Sequence, residues 1–208
     1  MMRCVATTSM AWRALLLAVL LGSCAPRPRL RGPHQGLPAY RQALEQLTRS
    51  GCVFTNVDRE ITVFATRLTD DFRRLLRTEY RRVFGFPLEQ GRGSLERLLQ
   101  ATRGQLAFFL YADASEFSWG EMEGSDSVWK VSLLVAGREP RPGQVRHVES
   151  PAPTVRAFFP FIGEFGRSYL VSFPPAPGDG GDVPTTEAVT LLLASAFGKL
   201  QLEWPGPR

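Results

Sequence analysis

Apolar residues recur with helical spacing in two stretches of the chain. The first stretch predicts a helix from Pro38 to about Ser50. In the second, an apolar stripe at positions 72–84 predicts a longer helix that begins at a Thr-Asp-Asp cap and ends at Gly85. A short helix follows from Ser94. These patterns predict an N-terminal helix and a helical segment at about 69–103.

In other segments apolar residues recur at every second position, and β-branched and aromatic residues dominate. At the C-terminus, alternation up to Trp204, with Gly198-Lys199 as a turn, favours a closing β-hairpin over a helix. The stretch FFPF at 158–161 contains a proline, which indicates an edge strand or a bend. The expected fold is mainly β with an α insertion, an immunoglobulin-like β-sandwich. Further strands are predicted at 61–68, 105–113, 127–137, 144–150 and 168–174.

The first 24 residues are typical of a targeting signal. Eight uncharged apolar residues, ALLLAVLL, occupy positions 14–21 after Arg13, whereas a spanning helix needs about 20. The sequence Leu21-Gly22-Ser23-Cys24 resembles the lipobox of bacterial lipoproteins, which implies that Cys24 receives a diacylglycerol before cleavage. An ordinary secretory signal with a chance cysteine is the alternative. The start codon is open among Met1, Met2 and Met10.

These features divide the chain into three parts. Residues 1–23 are the expected lipoprotein signal peptide, and residues 24–36 the lipidated N-terminus with a Pro- and Arg-containing tether. Residues 37–208 are expected to form a single globular domain. Because Ala25 follows the lipobox cysteine, the resemblance implies a lipid-anchored protein of the cell envelope, in the outer membrane.

The positive charge is concentrated in one part of the chain. The full sequence has 25 Lys and Arg against 20 Asp and Glu, and removal of Arg3 and Arg13 with the signal leaves 23 − 20 = +3. Nine arginines and five acids lie in 67–103. This region predicts either a solvated helix face or contact with lipid phosphate, an anionic glycolipid or an acidic envelope protein. Nucleic acid is not an expected partner for an envelope protein. The candidate binding residues are Arg73, Arg74, Arg77 and Arg81.

A second cluster of charge is an acidic loop, DASEFSWGEMEGSD, at 113–126. Its carboxylates are candidate ligands for a hard cation such as calcium, or a candidate acid pair for a hydrolase of envelope polymers. A solvated acidic loop is the third interpretation. Phe117, Trp119 and Phe86 are candidate binding anchors in loops. The five carboxylates are Asp113, Glu116, Glu121, Glu123 and Asp126.

Few residue types are available for histidine-dependent catalysis or for zinc. Beyond the signal, the histidines are His34 and His147 and the thiols are Cys24 and Cys52. The sequence contains no GxSxG, HExxH, CxxC or phosphate-loop motif. We therefore predict no catalytic residue, no metal and no cofactor. His147 is expected to be an ordinary strand residue, and Cys52 a small core residue.

Several segments together resemble a known group of proteins. The series ITVFATRLTDDF, SVWKVSLLV, FFPF with SYLVSFP, and FGKLQLEW is similar to an uncharacterised family of Gram-negative envelope lipoproteins. The resemblance covers most of residues 53–204 and implies a lipoprotein without naming an activity. The expected function is a non-enzymatic accessory or interaction module, bound to the membrane through its lipid. The alternative is a hydrolase that uses carboxylates of the 113–126 loop.

Overall fold

A computed structural model describes residues 36–55, 58–88, 93–136, 138–149, 153–174 and 187–206. The predicted signal peptide, Cys24, the tether and most of the predicted loop at 174–184 lie outside these residues. Within them the fold is mainly β with a helical insertion, as the sequence predicts. No helix in this part of the chain is long and apolar enough to span a membrane.

The described residues form four α-helices and nine strands, and every strand pair is antiparallel. A single helical turn at Phe117–Gly120 follows the third strand. In chain order the elements are α1 (Pro38–Leu47), β1 (Thr48–Thr55), β2 (Asp58–Arg67), α2 (Asp70–Phe84), α3 (Ser94–Ala101), β3 (Leu106–Ala114), β4 (Lys130–Val135), β5 (Arg141–Pro142), β6 (Gln144–Val148), α4 (Pro153–Phe158), β7 (Arg167–Phe173), β8 (Val189–Ser195) and β9 (Gly198–Trp204).

The strands form two sheets that meet along both edges. One sheet has the order β1-β2-β3-β7-β6 and the other β5-β4-β8-β9. Strands β5 and β6 flank Gly143, whose N–H donates to the carbonyl of Val131 at 2.9 Å, so one segment crosses between the sheets. At the other edge β1 lies beside β9. There the indole N–H of Trp204 donates to the carbonyl of Leu47 at 2.7 Å.

The immunoglobulin-like part of the prediction is not confirmed by this strand order. In the constant-type immunoglobulin arrangement the third strand lies in the opposite sheet from the first two. Here β1, β2 and β3 follow one another as neighbours in a single sheet. The finding supports a two-sheet sandwich of different connectivity.

The described residues form three layers, and β3 in the middle layer is therefore buried on both faces. Phe108 and Leu110 point between the two sheets, whereas Ala107 and Phe109 point toward the helices. This explains the near-continuous apolar run of β3, which is typical of a strand covered on both sides. The first core lies between the sheets, and the second lies between the first sheet and the helices.

The helical insertion is confirmed, with α2 and α3 between β2 and β3. The hydroxyl of Thr69 accepts a hydrogen bond from the Phe72 N–H at 3.2 Å and caps α2. Gly85 ends the helix in the left-handed region at φ 77°. These are the start and stop signals that the sequence carries.

The predicted end of the first helix is wrong. Helix α1 ends at Leu47 rather than near Ser50, and the chain continues directly into β1, a strand that the sequence did not indicate. Pairing with β2 decides the outcome, since Thr48 lies opposite Thr66 and their hydroxyls are 2.8 Å apart. A sheet neighbour thus overrides the helical spacing.

Three smaller predictions have definite outcomes. The C-terminal hairpin is confirmed as β8 and β9, although Ser195 pairs with Gly198, so the turn lies two residues earlier than predicted. Phe158 ends helix α4 and the chain then bends, so the edge-strand alternative for 158–161 is wrong. Cys52 is a free thiol on β1 and is half-buried rather than part of the core.

Candidate functional site

The four predicted binding arginines do not form one surface. Arg73 is buried and its guanidinium donates to carbonyl oxygens of Leu68 and Leu99, both at 3.0 Å, and to Thr102. It is therefore an internal link between α2 and α3, and its side chain is not on the surface where a partner could bind. Arg74 is exposed and pairs with Asp71 one turn earlier. Arg77 is half-buried and Arg81 is exposed.

The acidic loop directs its carboxylates to different partners. Glu121 accepts from the Arg167 guanidinium at 2.9 Å, and Glu123 accepts from the backbone N–H of His147 at 3.1 Å. Asp126 accepts from the neighbouring Ser125 hydroxyl. Glu116 is exposed and Asp113 half-buried at the end of β3. Across the described part of the chain, no three acidic, cysteine or histidine residues are grouped as metal ligands.

Buried aromatic residues hold this loop in place. The indole N–H of Trp129 donates to the carbonyl of Trp119 at 2.8 Å. The Tyr169 hydroxyl donates to the carbonyl of Gly120 at 2.6 Å, and burial raises the pKa of that phenol. Each contact attaches the loop backbone to a side chain of the sheet core. The loop is thus built as a structural turn with carboxylates on its surface.

The three aromatic residues proposed as anchors have different environments. Trp119 is half-buried against Phe197, with ring centroids 4.6 Å apart. Phe117 is exposed, but the Arg167 guanidinium lies over its ring at 3.9 Å. Phe86 is also exposed and belongs to a larger apolar group at the end of α2.

This group, which we call the aromatic surface, consists of Val83, Phe84 and Phe86 with the adjoining Arg81 and Arg82. The three apolar side chains are 46%, 40% and 40% exposed. The left-handed turn at Gly85 brings Phe86 back toward α2, and Phe84 and Phe86 have their ring centroids 6.3 Å apart. All five residues are exposed and lie within positions 81–86, at one end of α2.

Two buried aromatic residues, Tyr80 and Phe158, pack beneath the aromatic surface. The ring of Tyr80 lies 4.6 Å from Phe84 and 5.9 Å from Phe86, measured between centroids. Phe158, at the end of α4, stacks on Tyr80 at 5.8 Å. These contacts fix the orientation of the exposed rings, so the surface is preformed.

A groove of about 160 Å³ adjoins the aromatic surface. It lies between α1, the second half of α2 and the end of α4. Tyr40 and Leu44 line one wall, Val83 the second and Phe158 the third. The groove is small compared with pockets for drug-sized ligands, which measure about 300–1,000 Å³.

A buried carboxylate sets the electrostatics of this region. Glu79 is 3% exposed, and both of its oxygens accept from the Arg82 guanidinium, at 2.7 and 2.9 Å. This hydrogen bonding raises the pKa of Arg82. Nearby, burial and the charge of Glu79 raise the pKa of the Tyr40 phenol, which donates to the Phe158 carbonyl at 2.7 Å.

The sequence contained a partial signal for the aromatic surface. Val83 and Phe84 continue the apolar stripe of α2, but unlike Phe72 and Leu76 they are exposed. Phe86 was expected in a loop and as a candidate anchor, and its exposure agrees with that expectation. The left-handed Gly85 marks the end of α2.

Comparison with known proteins adds no assignment. No family model matches the chain, and neither a curated protein nor a solved structure shows significant similarity to it. The resemblance to envelope lipoproteins therefore stays a prediction from the sequence segments quoted above.

Proposed function

We propose that the chain is a lipid-anchored accessory or interaction module of the cell envelope, without enzymatic activity. The observation that carries this proposal is the lipobox Leu21-Gly22-Ser23-Cys24 after an eight-residue apolar run. The domain described by the structure starts at Gly36, which is 36 − 24 = 12 residues after the proposed lipid site. That spacing is suitable for a domain held at a membrane by its N-terminus.

The aromatic surface supports an interaction role. Scattered single apolar residues are normal on proteins, whereas a contiguous exposed group is typical of a contact site. Val83, Phe84 and Phe86 form such a group, and the two phenylalanine rings pack against Tyr80, which in turn stacks on Phe158. A preformed apolar surface loses little conformational freedom when it binds.

The outer-membrane location rests on the sequence alone, because it follows from Ala25 after the lipobox. The hydrolase alternative required two converging carboxylates among Glu116, Glu121, Glu123 and Asp126. All four are exposed, and none of the contacts described above favours that alternative.

The lipid anchor is tested by metabolic labelling of the full-length chain in a Gram-negative host. Wild-type protein is expected to incorporate radiolabelled palmitate, and Cys24→Ala to lose the label. Cys52→Ala is the matched control, because Cys52 is the other cysteine that follows the signal. Label that persists in Cys24→Ala, or is absent from the wild type, contradicts the anchor. Density fractionation of the labelled envelopes then tests the outer-membrane location.

A further inference from the structure

We propose that the aromatic surface rests on the anionic phospholipid bilayer that carries the lipid anchor, and so orients the domain. The proposal rests on the lipidation of Cys24 proposed above. It identifies the occupant of the aromatic surface as the headgroup region of the same membrane.

The start of the described chain is attached beside the aromatic surface. The backbone N–H of Leu37 donates to the Glu79 carboxylate at 3.2 Å. Gly36 lies against the same carboxylate, since a Cβ on Gly36 would be 3.2 Å from Glu79 Oε1. Glu79 is one helical turn before Val83. The segment that leads to Cys24 therefore leaves the domain at the end of α2 that bears the exposed phenylalanines.

The number of residues between Cys24 and Gly36 limits how far this end of the domain can lie from the bilayer. Twelve residues span at most about 43 Å when fully extended. Any shorter path brings Gly36 closer to the bilayer. A lipid on Cys24 thus brings the surroundings of Gly36, including the aromatic surface, to the membrane more readily than other parts of the domain.

The chemistry of the aromatic surface suits a bilayer interface. Exposed aromatic and aliphatic side chains enter the boundary between headgroups and acyl chains, while arginines contact lipid phosphates. Residues 77–84 contain three arginines and one glutamate, a net charge of +2. The glutamate, Glu79, is buried and hydrogen-bonded to Arg82, so it is not presented to the lipid.

Two of the other exposed aromatic residues, Phe117 and Phe165, lie where an anionic membrane is disfavoured. Phe117 belongs to the acidic loop, and its ring is covered by Arg167, whose guanidinium pairs with Glu121. Phe165 directly follows Glu164 and is two residues before Arg167, which pairs with Glu121 of that loop. Like charges repel, so these carboxylates favour an orientation with the acidic loop away from the lipid.

The test uses two valines of similar exposure. Val83 lies in the aromatic surface and is 46% exposed, and Val128 lies beside the acidic loop and is 43% exposed. Each is replaced by cysteine in a Cys52→Ser background of the full-length lipidated protein and labelled with an environment-sensitive fluorophore. The proteins are reconstituted in vesicles of phosphatidylethanolamine and phosphatidylglycerol. Flotation reports the anchor, and quenching by nitroxide-labelled lipids reports contact with the bilayer.

The possible outcomes distinguish the proposed orientation on the bilayer from the proposed lipid anchor at Cys24. Flotation with quenching at position 83 but not at 128 supports the orientation. Flotation without quenching at 83 overturns the orientation and leaves the anchor in place. A probe at 83 that is shielded from water but not quenched by lipid indicates contact with a second copy of the chain, which also overturns it. Failure to float overturns the anchor and the orientation together.

Variants of the aromatic surface add a second readout. Phe84→Ser with Phe86→Ser is expected to lower the ratio of docked to undocked domain by about tenfold or more, because two apolar contacts are lost. Phe84→Leu with Phe86→Leu is the matched control and is expected to retain docking. Melting temperatures of both variants verify folding. Unchanged quenching at position 83 in a folded serine variant contradicts the proposal.

Discussion

The guanidinium of Arg73 donates hydrogen bonds to both the hydroxyl and the carbonyl oxygen of Thr102, at 2.7 and 3.1 Å. Thr102 follows the last residue of α3. The carbonyl groups in the last turn of a helix lack donor partners within the helix backbone, so they need donors from elsewhere. Burial lowers the pKa of Arg73, although Asp70 at 3.9 Å partly offsets this effect. One arginine of α2 therefore completes the end of α3 and holds the two helices of the insertion together.

We expect Arg73→Ala to lower the free energy of unfolding by about 2–4 kcal/mol, because several buried acceptors lose their donor. Arg74→Ala is the matched control. Its side chain is exposed and pairs only with the exposed Asp71 among the contacts described, so an effect below about 0.5 kcal/mol is expected. Urea unfolding measures both. Equal effects of the two substitutions would show that Arg73 is not a structural link.

The behaviour of Arg73 shows what helical spacing can and cannot predict. The pattern of apolar residues located α2 and its ends, because a core-facing stripe and its caps are local features. The partner of Arg73 lies 29 residues away. No local pattern distinguishes an arginine that crosses a helix interface from one on a solvated face, since both have a long charged side chain.

The strands illustrate the same division. Alternation predicted β2 and β9, and strand-forming composition between turn residues predicted β3 and β7. Strand β1 was missed because its residues include Arg49, Ser50 and Gly51. Its strand conformation depends on pairing with β2 and on contact with β9. The exposed end of α2 was missed for a related reason. The apolar stripe of α2 does not show how far along the helix the residues that cover it extend.

Gly143 allows one strand segment to pass from one sheet to the other. A Cβ at this position would lie 2.9 Å from two ring atoms of Phe173 and 3.1 Å from Val171 Cγ1, and both residues are buried. We expect Gly143→Ala to lower the free energy of unfolding by about 1–3 kcal/mol through overpacking. Chemical denaturation provides the measurement.

Gly120→Ala is the control for this substitution. A Cβ on Gly120 would be 3.6 Å from Ala114 Cβ and 3.8 Å from Arg167 Cδ, which are ordinary contacts. An effect within about 0.5 kcal/mol is expected. Should Gly143→Ala be equally harmless, the close crossing of the two sheets at this residue is incorrect.

Trp204 joins the last strand to the end of the first helix. Its indole donates to the Leu47 carbonyl, and its ring lies 4.8 Å from Phe108 between centroids. We expect Trp204→Phe to lower the free energy of unfolding by about 1–3 kcal/mol, since a hydrogen bond and packing volume are lost. Trp119→Phe, at a half-buried position, should cost less. Thermal or urea unfolding compares them, and the reverse order would contradict this role.

Tyr40 gives a prediction for alkaline pH. Burial, and then the charge of Glu79, raise the pKa of this phenol in the folded state, whereas in the unfolded chain the pKa is about 10. The folded protein therefore retains a proton that the unfolded chain loses. The stability from this difference is fully present below about pH 10 and declines as the pH rises further, by up to about 1.4 kcal/mol per pH unit.

Tyr40→Phe removes this contribution to the pH dependence. At neutral pH the variant should be less stable by about 1 kcal/mol, because the hydrogen bond to the Phe158 carbonyl is lost. Above about pH 10 its free energy of unfolding should fall less steeply than that of the wild type, so the two curves converge. Some decline remains, since the pKa values of Tyr111 and Tyr169 are also raised by burial. Urea unfolding from about pH 8 to about pH 11 measures both slopes, and parallel curves would show that Tyr40 does not retain its proton.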